Sequence, residues 1–314
     1  MMTSRYKPEG TRLATVQNRE YISSVSGLER ALEKQIILEA PAILCDHNFN
    51  LHISLGGGVS GIIPKDECEF ITSGDTVKDI AILTRVGKPV CFKVVGFEKA
   101  ANGGTLAILS RRAAQRECFL NYVSTLCAGD IIPARVTHLE SFGAFVDIGC
   151  GIISLLSIDC ISVSRISHPS MRLSVGDSMF AVVKSIDERG RVYVTERELL
   201  GSWEENVSRF SEGQTVSGVV RSVESYGIFV ELTPNLAGLA EFKENVYPDQ
   251  TAAVYIKSII PDKMKIKLII IDTTDEPIYR KPLEYFIDPE KTERIDKWTY
   301  SPPGSRKLIE SSFV

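Results

Sequence analysis

A short stretch of alternating apolar and polar residues occurs three times along the chain. The copies read F-N-L-H-I-S-L-G from Phe49, F-G-A-F-V-D-I-G from Phe142 and Y-G-I-F-V-E-L from Tyr226. Because side chains of a β-strand point alternately to opposite faces, this period of two predicts a strand with one buried face in each copy. A pattern repeated at this spacing indicates an array of similar units.

The polar side of each copy predicts an exposed ring beside a polar residue. The outward pairs are His52 with Ser54, Phe145 with Asp147, and Phe229 with Glu231. The first rings of the second and third copies, Phe142 and Tyr226, would face the core of a regular strand. Gly143 and Gly227 follow them, and we expect a bulge at each glycine to turn the preceding ring outward. These two copies should then present two adjacent rings to solvent, beside a charge.

The residues around each copy predict a small closed barrel. Residues 129–198 contain five short apolar segments that are divided by turns with glycine. A closed five-stranded barrel suits this pattern better than an open sheet, which would leave long bare edges. The third copy repeats the order compactly, and the first copy is more divergent.

The predicted chain has seven parts. We expect an N-terminal segment with one short helix (1–35), a divergent barrel (36–112), a helical linker (113–128), the second barrel (129–198), another helical linker (199–211), a shortened third barrel (212–272) and a C-terminal extension (273–314). Trp203 shares helical spacing with Val207 and Phe210, which is more typical of a packing anchor than of a ligand contact. The extension has no clear periodicity and is expected to lie over the third barrel.

The composition is typical of a globular cytoplasmic protein. None of the 314 residues belongs to an apolar run near the roughly 18 residues of a membrane span, and the N-terminus lacks the apolar core of a signal peptide. The seven cysteines form no C-x-x-C pair, and an odd count without a secretion signal indicates reduced thiols. We therefore expect cytoplasmic localisation and no membrane partner.

The net charge of −4 argues against nucleic acid as a partner, because phosphate binders are commonly basic overall. A single strand, however, needs only a local basic groove and stacked rings. Lys263, Lys265 and Lys267 alternate with apolar residues and predict such a stripe on one face of a strand, close to Lys257. The stripe is equally typical of a solvated edge strand that lysines protect from pairing.

Other chemical patterns are weak. G-G-G-V-S-G from Gly56 fits a phosphate-binding motif, but I-I-P rather than a helix follows it, which favours a barrel turn. The four histidines are scattered without metal-ligand spacing, and His168 before Pro169 is expected to order a turn. No nucleophile has a readable base, and no carboxylates cluster. We expect no catalytic residue, cofactor, metal site or small-molecule substrate.

The second repeat resembles the S-one domain, the RNA-binding barrel named after the largest bacterial small-subunit ribosomal protein. The resemblance lies in G-D-I-I-P-A-R-V, F-G-A-F-V-D-I-G, R-I-S-H-P-S-M-R-L-S-V-G-D and V-V-K-S-I-D-E-R-G-R-V-Y-V. The third repeat looks like the same domain with a shortened loop, and the first like a degenerate version. The whole is similar to S-one-like proteins of Gram-positive bacteria. The resemblance implies an all-β chain of three tandem five-stranded OB-fold barrels, joined by helical linkers.

The resemblance also implies RNA-contacting residues. In the second repeat these are Phe142 and Phe145, which would stack on bases, and Asp187 and Arg191, which would touch the strand beside them; Ser154 stands at the place assigned to the family's histidine. The third repeat keeps Tyr226, Phe229 and Lys265, whereas Ile260 replaces the aspartate and Glu241 the histidine. In the first repeat only Phe49 and His52 remain plausible contacts. The expected order of importance is second, third, first.

The implied function is non-catalytic binding of single-stranded RNA or mRNA, with low sequence specificity, in a ribosome-associated or mRNA-binding protein of translation. The small ribosomal subunit is an implied partner. Each stacked ring contributes about 1–3 kcal/mol to the free energy of RNA binding. Linked barrels strengthen binding further, because the later contacts are intramolecular.

Two alternatives remain open at this point. Phe145 and Phe229 could cover a neighbouring barrel or helix, in a scaffold that docks on a ribosomal or RNA-processing partner with little RNA contact. The acidic charge and the degenerate first repeat favour that alternative. An accessory module of a ribonuclease complex would share the RNA-binding face but need an enzyme elsewhere.

Overall fold

Three closed five-stranded barrels follow one another in the computed structural model, which describes residues 5–71, 77–100, 103–275 and 283–313. In each barrel the strands neighbour one another in the order first, second, third, fifth, fourth, and the fourth closes on the first. All pairs are antiparallel except the third with the fifth strand, which is parallel. The predicted all-β architecture of three tandem barrels is confirmed.

The first barrel follows two helices. Its elements are α1 (Val16–Ile22), α2 (Val25–Glu33), β1 (Leu38–Cys45), β2 (Leu51–Ser54), β3 (Ser60–Ile63), α3 (Asp79–Leu83), β4 (Pro89–Lys99) and β5 (Thr105–Ser110). The predicted N-terminal helix is present as α2, and α1 is an additional helix before it. Thr15 and Ser24 each accept a hydrogen bond from a backbone N–H of the next turn, so each begins its own helix.

The second barrel is preceded by a linker helix. Its elements are α4 (Arg111–Asn121), β6 (Ile131–Glu140), β7 (Gly143–Asp147), β8 (Ile153–Ser157), α5 (Ile158–Ile161), β9 (Ser178–Ile186) and β10 (Val192–Thr195). The apolar side of β7, Ala144 and Val146, is completely buried, as the alternation predicts. His168 caps a short 3-10 turn by accepting the N–H of Ser170, which agrees with its predicted role.

The third barrel and the C-terminal extension complete the chain. Their elements are α6 (Trp203–Val207), β11 (Thr215–Glu224), β12 (Gly227–Thr233), β13 (Leu236–Ala240), β14 (Thr251–Ile260), β15 (Lys265–Thr274), β16 (Lys297–Thr299) and β17 (Glu310–Ser312). Trp203 is 2% exposed and is the packing anchor that its spacing predicts. Ser202 and Glu205 form a capping box that begins α6.

The C-terminal extension packs on the second barrel as well as on the third. Ile131 at the start of β6 donates its N–H to the carbonyl of Glu293, and Tyr300 Oη donates to the carbonyl of Asn235 in the third barrel. The extension therefore joins the two barrels, which corrects the expectation that it lies over the third alone.

The strand irregularities lie elsewhere than predicted. Where the first strand pairs with the aromatic strand, the register shift lies in the first strand, between Val136 and His138 in β6 and between Val220 and Ser222 in β11. Gly143 instead allows a close approach of strands, because a Cβ there would lie 2.5 Å from the carbonyl oxygen of Leu156. The equivalent distance at Gly227, to the carbonyl oxygen of Ala240, is also 2.5 Å.

The acids predicted to face solvent beside the rings are buried, which corrects that part of the sequence analysis. Asp147 accepts hydrogen bonds from the backbone N–H groups of Glu9, Gly149 and Gly151. Glu231 is held by the guanidinium groups of Arg172 and Arg221. In each case a preceding segment of the chain docks on the acid.

The remaining predictions about composition are consistent with the structure. All seven cysteines are free thiols, and five of them are buried. The glycine motif at Gly56 forms the turn between β2 and β3, where Gly57 and Gly58 have positive φ. Within the described ranges, no helix is long and apolar enough to cross a membrane.

Candidate nucleic-acid interface

The second and third barrels each present a pair of rings in the same geometry. Phe142 and Phe145 meet edge to face, with ring centroids 6.0 Å apart and an angle of 89° between planes. Tyr226 and Phe229 do the same at 6.2 Å and 85°. Phe142 and Tyr226 occupy the hairpin turn before the strand and are 52% and 68% exposed. About half or more of the surface of each turn ring is therefore available to a ligand.

A row of outward side chains crosses the second barrel at the level of Phe145. Strand register places His138, Phe145, Leu155 and Tyr193 side by side on β6, β7, β8 and β10. The His138 ring stacks on Phe145 with centroids 6.2 Å apart. Sequence reasoning missed His138 and Tyr193 as parts of this face, although Tyr193 lies two residues after Arg191 and so on the same side of its strand.

The corresponding row of the third barrel ends in a lysine. It consists of Ser222, Phe229, Leu239 and Lys267 on β11, β12, β13 and β15. Lys265 lies two residues before Lys267 on the same exposed side. Lys263 belongs to the preceding 3-10 turn, so the predicted stripe of three lysines on one strand is reduced to two.

Phe242 adds a third exposed ring to the third barrel. Ile228 pairs with Ala240, and continuing this antiparallel register brings Phe242 opposite Tyr226. The Phe242 side chain is 57% exposed. At the corresponding place in the second barrel, Ile158 donates its N–H to the carbonyl of Phe142.

Asp187 positions Arg191 in the turn between β9 and β10. One Asp187 oxygen accepts the N–H groups of Arg189 and Arg191, and the other accepts Arg191 Nε at 2.7 Å. The backbone N–H of Arg191, followed by its side chain, lowers the pKa of Asp187. The Arg191 side chain is 62% exposed, so its charge is accessible beside the row.

The structure does not bring Ser154 to this surface. Ser154 is buried, and its hydroxyl donates to the carbonyl of Val192 at 2.6 Å. The register also shows that Ser157, rather than Ser154, occupies the place of Glu241. Leu156 pairs with Ala144 just as Ala240 pairs with Ile228, and each candidate residue is the next one along the chain. Ser157 is half-exposed.

The first barrel lacks a ring pair at this place. Phe49 has a positive φ of 63° and is half-buried, with Lys65 Nζ 4.6 Å from its ring centroid. His52 Nε2 lies 3.3 Å from an Asp46 carboxylate oxygen. The row itself is mostly apolar and consists of Leu44, His52, Ile62 and Ile108. Phe49 and His52 therefore do not form a surface like those of the other barrels.

Comparisons with known proteins agree with the repeated barrels. Residues 126–196 match the family model described as S1 RNA binding domain, which is the S-one family. The chain is 32% identical over 200 residues to small ribosomal subunit protein bS1 of Leuconostoc lactis, a match that covers 60% of this chain and 44% of that protein. It is 27% identical over 246 residues to the bS1 protein of Staphylococcus aureus strain COL, covering 75% and 58%.

The chain spans about half the length of these curated relatives. Among solved structures, a multidomain protein with nucleic acid binding domains from Streptococcus pneumoniae aligns over 78% of this chain and 76% of that one. Its sequence identity is 14% and its TM-score 0.25. The predicted resemblance of the repeats to S-one domains is confirmed by the family match and the bS1 relatives.

Proposed function

We propose that this chain, an S1-type protein, binds single-stranded RNA without catalysis through the ring pairs of its second and third barrels. The observation that supports this most is the repeated edge-to-face pair, which lies on the barrel face that also carries Arg191 in one barrel and Lys265 in the other. A ring stacks on a base, and a nearby cation attracts the phosphate backbone. The two barrels would act on one RNA at high effective concentration, because they belong to one chain.

The proposed binding has low sequence specificity. Base identity is read by hydrogen bonds to base edges, whereas a ring stacks on the flat face that every base has. The rows contain rings and aliphatic side chains at most positions, with His138, Ser222 and Lys267 as the polar exceptions. Because few polar groups are available to hydrogen-bond base edges, these surfaces should bind RNA of many different sequences.

The proposed setting is translation in the cytoplasm. The bS1 relatives are named as small ribosomal subunit proteins. We therefore propose mRNA and the small ribosomal subunit as partners. The absence of catalysis is part of the proposal.

A second candidate function is favoured by the first barrel. Its row is apolar at Leu44, Ile62 and Ile108, and Leu44 is 53% exposed. Such a face is typical of a contact with protein rather than with RNA. The first barrel would then dock on a ribosomal or RNA-processing protein while the other two bind RNA, or the whole chain would act as a scaffold.

Titration of a fluorescent single-stranded RNA of about twenty nucleotides tests the first proposal. We expect the double variant Phe142→Ala/Phe145→Ala to raise the Kd at least about tenfold, since one stacked base contributes about 1–3 kcal/mol. Tyr247→Ala is the matched control, because this tyrosine is 60% exposed and lies outside the rows. Equal binding by the ring variant and wild type, or no binding by wild type at low salt, would favour the scaffold.

A further inference from the structure

A cavity of about 450 Å³ lies where the first barrel, α4 and the second barrel meet. Its walls include Phe70 and Lys78 from the first barrel, Phe119 from α4, and Ile153, Arg189 and Arg191 from the second barrel. The proposed stacking on Phe142 and Phe145 does not account for this cavity, although Arg191 belongs to both places.

The cavity continues the row of the second barrel along its strands. Phe145, Leu155 and Tyr193 are register neighbours. Two residues before Leu155 and Tyr193 come Ile153, the first residue of β8, and Arg191, which directly precedes β10. Side chains two residues apart share a face and are separated by about 7 Å. Ile153 is 38% exposed. The surface next to the rings therefore leads directly into the cavity.

Specific contacts among the first barrel, α4 and the second barrel hold the walls of the cavity together. Gln115, 3% exposed, accepts the N–H of Phe70 at 2.9 Å and donates to the carbonyl of Gly151 at 3.2 Å. It thereby ties the first barrel to the second. Phe119 lies 5.7 Å from Phe70 between ring centroids, and a Cβ added at Gly190 would lie 3.3 Å from the Phe119 ring.

The lining suits a nucleotide. Two rings offer flat apolar surface to a base, and the two arginines of the β9–β10 turn offer charge to the adjoining phosphate. We propose that the cavity receives the base of the nucleotide next to the one stacked on Phe145. Single-stranded RNA then runs from the second barrel towards the first. This inference rests on the proposed RNA binding and adds a site to it.

Two variants of the full chain test the cavity without touching the ring pair. Ile153→Trp places a large side chain at its mouth, and Arg189→Glu reverses an exposed charge of its lining. Val175→Trp and Arg306→Glu are the matched controls, because both residues are exposed and lie outside the cavity. We expect each test variant to raise the Kd of the twenty-nucleotide RNA about tenfold, through loss of the stacked base in Ile153→Trp and of the attraction for phosphate in Arg189→Glu, and each control to bind like wild type.

Photocrosslinking provides a second readout that does not depend on affinity. RNA with 4-thiouridine should crosslink to peptides containing Phe70 or Phe119 in wild type and in Val175→Trp, and lose these crosslinks in Ile153→Trp. Wild-type affinity in both test variants, together with no crosslink to either peptide, would overturn the cavity site while the ring variant still binds weakly. Failure of the proposed function looks different, because wild type itself would then not bind RNA.

Discussion

The second and third barrels share the geometry of their rings and differ in the charge around them. Both place an edge-to-face pair at the same register position. In the second barrel, Tyr193 completes the row and Asp187 holds the nearby Arg191 in an ion pair. In the third barrel, Lys267 completes the row and Lys265 lies on the same side. Stacking should therefore be similar in the two barrels, whereas attraction for phosphate should be stronger in the third.

This difference shows how a repeat can diverge without changing its fold. The ring on the second strand and the turn glycine set the geometry, because the neighbouring strand passes close to that glycine. The outward positions of the fifth strand face solvent and tolerate either a ring or a cation.

The two barrels also differ in how they use the acid that follows the ring pair. Asp147 holds the N-terminal segment by accepting a hydrogen bond from the N–H of Glu9. Glu231 accepts hydrogen bonds from Arg172 of the second barrel and from Arg221 of its own barrel. The equivalent Ser54 of the first barrel is exposed. In the second and third barrels, the same register position therefore holds a segment that precedes the barrel.

The largest expected effect comes from Glu231→Gln. Burial alone would raise the pKa of Glu231, but hydrogen bonds and charge from Arg172 and Arg221 hold it below its ordinary value, so the carboxylate is charged. The substitution removes the carboxylate that the two buried guanidinium groups share and leaves Arg221 with the exposed Asp249 at 3.6 Å, so we expect the free energy of unfolding to fall by about 3 kcal/mol. Urea unfolding measures this. Glu241→Gln, at an 89% exposed carboxylate of the same barrel, should change stability little.

The same variant tests whether Glu231 joins the second barrel to the third. If Glu231 joins the second and third barrels, its variant should also weaken binding of a long RNA more than binding of a short one, since the barrels then act less as a unit. A stability equal to that of Glu241→Gln would show that the ion pair does not hold the barrels together.

Charge removal produces an intermediate effect that separates the two barrels. In Lys265→Gln/Lys267→Gln, the slope of log K against log salt should fall in magnitude by about 1.4, or about 0.7 for each single-strand phosphate that a lysine no longer neutralises. Arg191→Gln should lower it by about 0.7 at most, because Asp187 already holds that guanidinium. The exposed pair in Arg306→Gln/Lys307→Gln is the control with the same charge change. Equal slopes in all variants would contradict a charge difference between the barrels.

The smallest effect concerns pH and the contact of the second barrel with the C-terminal extension. Burial raises the pKa of Glu196 from 4.5 to about 8, while Tyr285 Oη donates to one of its oxygens at 3.1 Å. The folded chain then binds more protons than the unfolded one between these values, so stability falls as the pH rises through this window. Glu231, with its lowered pKa, has the opposite sign and loses stability as the pH falls.

Thermal unfolding of Glu196→Gln from pH 5 to pH 8 checks this expectation. The Tm of the variant should decline less steeply than that of wild type and exceed it at pH 8 by about 2–4 °C, the shift that about 1 kcal/mol causes in a large domain. Burial also raises the pKa values of Glu39 and Asp147 to about 7. The Tm of the variant should therefore still decline in part as the pH rises. Parallel Tm curves would show that Glu196 is charged in the folded chain.

The sequence by itself determined the strands, their number in each barrel and the side of each that is buried, because alternation of apolar residues is a local property that a closed barrel satisfies. It also indicated the paired rings, since a turn glycine beside an aromatic residue is visible in the chain. Only the tertiary structure decided that Asp147 and Glu231 are covered, because the groups that cover them, Glu9 and Arg172, are distant along the chain. It likewise decided that Tyr193 joins the row of Phe145 and that Ser154 leaves it, because strand register joins residues that no local pattern connects.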